Sequence, residues 1–143
     1  METTPQQQRV AQRATGQSLV EFAMVIGILL MLIFALVNIG QLLLANYTVN
    51  QAARAAAHQA AISGAQQSAV DGAASLVMDA GVGTSFRQTQ VEMVCGGACR
   101  RYDQVTIRVR FEEQFWAQLP LFDRFAVEAV ATRALELDRQ GTP

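Results

Sequence analysis

The sequence contains no lysine, so its eleven basic residues are all arginine. With twelve acidic residues the formal net charge is −1, which excludes a strongly basic nucleic-acid binder on net charge alone. Histidine and cysteine are scarce: His58, Cys95 and Cys99 are all there is. A closed zinc site takes four nitrogen or sulfur ligands, and three do not supply it. His58 lies in an alanine-rich stretch with no serine or cysteine constellation at a usable spacing, and reads as a helix-surface or packing residue. Gly81-Val82-Gly83 reads as a helix stop rather than a phosphate loop. Asp71, Asp79 and Glu92 form no acid pair and no metal spacing. There are no internal repeats. These absences speak against an enzyme and predict no catalytic residues, no metal, no cofactor and no small-molecule substrate.

What the sequence has is apolar residues, 51% of the total, unevenly placed. Residues 1–16 are polar and net basic, with Arg9 and Arg13, and are expected to hold no stable structure. From Phe22 to Val37 the chain is continuously apolar; Asn38 and Gln41 interrupt it, and Leu42 to Ala45 resume it. A bilayer core takes about 20 mostly apolar residues in a helix, so Leu19–Ala45 is long enough to cross with some tilt. Arg9 and Arg13 precede this span and only Arg54 follows closely, which places the N-terminus in the cytoplasm and the remainder outside. Asn46 to Ile62 has neither proline nor glycine and is dense in alanine. The helix is therefore expected to continue to Ile62 and to stop at Ser63-Gly64. From Ser18 that is on the order of 65–70 Å of helix at 1.5 Å per residue.

The exported part, 65–137, is expected to pair a helix with a small sheet. Ala69, Val70, Ala73, Leu76, Val77 and Ala80 fall at the spacing of one helical face, and Gly81 and Gly83 end it. Val105, Ile107, Val109 and Phe111 alternate with Thr106, Arg108, Arg110 and Glu112, the period of a strand with one face buried. Thr89–Val94 is a weaker strand, and Phe125–Leu135 a third. The predicted class is α+β: a long N-terminal transmembrane helix running into a domain with a second helix and a three-stranded antiparallel sheet. Cys95 and Cys99 sit in the hairpin loop, where Gly96 and Gly97 can take unusual backbone angles. Outside the cytosol a disulfide is the expected state; the other reading is a pair of free thiols at a turn. Phe115 to Phe122 is expected to be a connection folded over the sheet. Phe115, Trp116 and Phe122 are then either core or a surface that meets a partner. Arg100-Arg101 and Arg108/Arg110 are either a basic patch or the solvated face of the hairpin. Residues 138–143 read as a flexible tail.

The boundary at Gly16 has a specific form, Gly16-Gln17-Ser18-Leu19-Val20-Glu21-Phe22, behind a basic leader. It resembles the type III signal sequence of type IV pilins and pseudopilins, whose prepilin peptidase cuts after the glycine. The resemblance implies a cut between Gly16 and Gln17, leaving segment 17–62 as anchor and assembly helix with Glu21 as its fifth residue. The apolar stretch lies after that cut, so cleavage would leave the anchor in place, unlike a secretory signal peptide. A glutamate inside a span is costly unless paired. In a filament the Glu21 carboxylate of one subunit can meet the Gln17 ammonium of a neighbour. Alternatively, Glu21 is an interfacial residue at the end of an ordinary span.

The stretch Gly16–Ala23, together with Asn38-Ile39-Gly40-Gln41 and Asn50-Gln51-Ala52-Ala53-Arg54, is similar to TadE-like proteins, minor pseudopilins of tight-adherence (Flp-type) pili. Val105–Val109, Leu119-Pro120-Leu121 and Val127–Arg133 resemble the family more loosely. The resemblance implies a single-pass protein of the bacterial cytoplasmic membrane, contacting lipid, a prepilin peptidase, other pseudopilins and the pilus assembly machinery. It also implies a route into an extracellular pilus. Two other readings stand beside it: an uncleaved single-span protein whose outer domain binds a partner or ligand, and a secreted domain cut near Ala45.

Overall fold

The structure, a computed structural model, describes residues 5–119 and 122–137. Its elements are helix α1 (Pro5–Ser63), helix α2 (Gln67–Ala80), a single 3₁₀ turn (Phe86–Gln88), and strands β1 (Thr89–Cys95), β2 (Gln104–Leu119) and β3 (Phe122–Ala134). The strands form one antiparallel sheet in the order β1-β2-β3. This is the expected α+β architecture of a long apolar helix, a second helix and three strands. The chain divides into two compact units between Val37 and Asn38, inside α1.

Leu19, Phe22, Met24, Val25, Ile28 and Leu29 are among a near-continuous series of exposed apolar side chains. The helix also begins earlier than expected. Residues 5–16 were read as unstructured, yet α1 starts at Pro5 and runs through Gly16 without a break. Proline suits a helix's first turn, where its missing N–H costs nothing, and the glutamines, alanines and arginines that follow are good helix formers.

In the second unit α1 becomes one wall of a core. Asn38, Gln41, Ala45, Thr48, Val49, Ala52, Ala53, Ala56, Ala57, Ala60 and Ala61 are buried, a stripe with steps of one, three and four residues. α1 stops where the chain turns left-handed, at Gly64 (φ 67°) and Ala65 (φ 58°). The Ala65 N–H reaches back to the Ala60 carbonyl at 2.8 Å, satisfying one of the helix's last acceptors. Another, on Ala61, is taken by the N–H of Glu136, just past β3, at 3.0 Å.

Val70, Ala74 and Met78 are the buried residues of α2. The expected face was right in part: Val70 is buried and Val77 packs on the core, but Leu76 is 76% exposed and Ala80 also faces solvent. Alanines and a glycine on several sides of this helix left its apolar face poorly marked. On the sheet, Val105, Ile107, Val109 and Phe111 of β2 and Phe125, Val127 and Ala129 of β3 close the core against both helices. The outer face carries Arg108 between Glu92 (3.6 Å) and Glu128 (3.0 Å), with Arg110 paired to Glu112 at 2.6 Å. Arg108 and Arg110 are thus matched by acids on a solvated face, and exposed pairs of this kind add little stability.

Two further expectations are corrected. The segment Phe115–Leu119 is not a connection over the sheet but the continuation of β2. In the cysteine loop the left-handed residues are Cys99 (φ 54°) and Tyr102 (φ 73°), not Gly96 or Gly97. Gly97 is needed for space instead: a Cβ there would stand 2.9 Å from an Asp103 carboxylate oxygen. That carboxylate accepts the Arg100 N–H at 2.9 Å. Cys95 and Cys99 are joined by a disulfide across a Cα separation of 5.5 Å.

Candidate functional site

The first candidate is the start of the apolar helix. Gln17, Glu21 and Phe22 lie within α1 and all three are exposed. The Gln17 side-chain amide approaches Glu21 Oε1 at 3.4 Å, one helical turn away. The Gly16 backbone is helical, so Gly16, Gln17 and Glu21 follow one another along a single helix. From Gln17 onward the helix is long and apolar enough to cross a membrane. Its side chains point outward in every direction, the surface a helix needs when hydrocarbon or other helices surround it.

The second candidate is a pair of polar residues that the sequence showed as interruptions of the apolar run and as part of the family resemblance, without a structural role. Asn38 is 6% exposed and Gln41 2%. The Asn38 amide donates to the Ala117 carbonyl at 2.8 Å, and its oxygen accepts the Ala117 N–H at 3.2 Å. Gln41 donates to the Gln114 carbonyl at 2.9 Å and accepts the Trp116 N–H at 2.8 Å. These are the backbone groups that β2 leaves unpaired. Its regular register with β3 ends at Gln114↔Arg124 and is shifted before Leu119↔Phe122. Two carboxamides on α1 therefore stand in for a neighbouring strand, supplying a donor and an acceptor each. The available signal was phase: Asn38 and Gln41 lie three and four residues apart ahead of Ala45, on the same helical stripe as the alanines.

The aromatic residues separate. Phe115 packs on Phe125 with ring centroids 4.9 Å apart, and Phe125 meets Phe111 edge-on at 6.2 Å. Trp116, the next residue along β2, is 54% exposed. Its ring lies against Gly83, where a Cβ would come 2.5 Å from Cζ2. The Phe122 side chain lies outside the described residues, as does the tail 138–143. His58 is on the exposed side of α1. Among the described residues no group of three or more His, Cys, Asp and Glu side chains could hold a metal.

Among the described residues one helix is long and apolar enough to cross a membrane, and the chain continues into a small α+β unit. Residues 16–58 match the model of the TadE-like protein family. That is the family the sequence resembles. The matched segment runs from Gly16 through Glu21, Asn38 and Gln41 to the alanine stripe, and so includes both candidates. No curated protein and no solved structure matches the chain.

Proposed function

We propose that this chain is a minor pseudopilin, cut by a prepilin peptidase between Gly16 and Gln17 and used to initiate, extend or cap a tight-adherence pilus. The observation that carries the reading is the family match beginning at Gly16, on a helix (Pro5–Ser63) whose one acidic residue, Glu21, lies at the start of a long apolar exposed surface. Cleavage creates an ammonium group on Gln17. Within one chain the Glu21 carboxylate lies a turn away on the same helix. Between chains, a Gln17 ammonium and a Glu21 carboxylate of adjacent helices compensate each other and set their axial offset. A charge left alone in hydrocarbon costs several kcal/mol, on the order of 3 on insertion scales, so register follows from pairing. Arg9 and Arg13 hold the leader in the cytoplasm. The disulfide between Cys95 and Cys99 suits an oxidising compartment for the sheet unit.

Intact mass and N-terminal sequencing of the membrane-extracted protein test the cut. In cells with an active prepilin peptidase the protein begins at Gln17, and Gly16→Val leaves it at full mass. Glu21→Ala is cleaved normally but loses pilus assembly. An N-terminus at Met1 or Glu2 in such cells sinks the pseudopilin reading in favour of an uncleaved single-span protein.

A further inference from the structure

The apolar surface of α1 does not end where β2 is fastened to it. Ile39, Leu43 and Leu44 remain exposed on the turns that carry Asn38, Gln41 and Ala45. In the sheet unit two other segments bring out apolar side chains. Trp116 is tied by its backbone to Gln41, with its half-exposed ring on Gly83. Val82, the residue before Gly83, is 67% exposed. Gly81 lies against Thr48, where a Cβ would meet the Thr48 methyl at 2.6 Å. The acids nearest in sequence are engaged: Glu112 with Arg110, Glu113 with the Gln114 N–H, and Asp79 with the Phe86 N–H. Asp123 and Arg124, exposed at the start of β3, suit a polar headgroup layer.

Tryptophan joins an apolar body to a polar tip and gathers at membrane–water interfaces. Position agrees with chemistry. Leu19 to Val37 is about 28 Å of helix at 1.5 Å per residue. That is close to the roughly 30 Å of a hydrocarbon core, and Asn38 and Gln41 come directly after it. We propose that Trp116 and Val82 form a lipid-facing patch by which the sheet unit meets the headgroup layer of a membrane. The inference depends on α1 crossing a membrane, and not on cleavage or pilus assembly.

Trp116 is the only tryptophan in the sequence, so its emission reports one position. The full chain is reconstituted in phosphatidylethanolamine/phosphatidylglycerol vesicles, washed with alkaline carbonate and floated. Emission is then read with acrylamide on both sides, or with lipids nitroxide-labelled near the headgroup. The expected result is a blue-shifted emission that the labelled lipid quenches and acrylamide quenches weakly, unchanged as lipid is added in excess. Val82→Asp lowers the lipid quenching while the helix content stays the same. Floated protein whose Trp116 is open to acrylamide and untouched by labelled lipid overturns the patch and leaves the span standing. Lipid protection that disappears on dilution with lipid also overturns it, because a second copy is then the occupant. Protein that fails to float overturns both patch and span.

Discussion

Gln41 is buried in an apolar setting, and its carboxamide meets one carbonyl and one N–H of β2 at 2.9 and 2.8 Å. Gln41→Leu keeps the volume roughly constant but leaves both backbone groups without a partner. A buried group so orphaned costs about 1–3 kcal/mol. The variant is expected to unfold earlier by at least that lower amount when thermal unfolding is followed by circular dichroism in detergent. Leu42, exposed on the next position of the helix, gives the contrast: Leu42→Gln is expected to cost less than the Gln41 change. Asn38 and Gln41 were visible in the sequence as polar breaks in an apolar run. Their partners were not, because they lie 79 and 73 residues further along the chain. Local patterns carry no information about such a pairing.

Among the elements, what the sequence showed depended on how sharply each pattern was drawn. The alternation from Val105 to Phe111 is strict, and the strand was found there. It continues to Leu119 in the structure, past the point where Phe115 and Trp116 place two large apolar residues side by side. Period-two reasoning fails at that point because the strand end is supported by helix side chains rather than by a regular neighbour. Helix α2 shows a different weakness. Its face was read only in part because small residues surround it, and Gly72 is one of them. A Cβ on Gly72 would meet nothing within 4 Å, and its φ is not left-handed. Gly72→Ala is therefore expected to stabilise the protein by about 0.5–1 kcal/mol, through the smaller backbone entropy lost on folding. The measurement is the same thermal transition, which should move upward; a fall would mean that α2 has a tight neighbour at that position.

Across the whole molecule, the sheet unit begins inside α1, at Asn38, and not after it. A domain made of residues 65–137 alone would have a marginal core. Here the second half of the helix supplies the alanine stripe and both carboxamides, so anchor and domain are made from one continuous segment. The sidedness proposed from Arg9 and Arg13 can be checked at this scale with the cysteines. If the sheet unit faces an oxidising compartment, a maleimide added under denaturing conditions labels Cys95 and Cys99 only after reduction. Labelling of the cellular protein without reduction would put that unit on the cytoplasmic side. The long apolar helix, its stop at Ser63 and the class of the fold were legible because they rest on composition and short-range periodicity. The clamp and the exposed position of Trp116 required the folded chain.

The distance in sequence between the clamp and the strand it holds also sets a delay during synthesis. A ribosome adds about 5–20 residues per second, so Asn38 and Gln41 leave it roughly 4–15 s before Gln114 to Ala117 exist. Throughout that interval the nascent helix carries two carboxamides with no partner in the protein, just beyond its longest apolar run. In hydrocarbon they would be a liability, whereas at the water surface they are solvated. If α1 crosses a membrane, the unfinished chain has its own reason to stop sliding at Asn38 before any sheet is made.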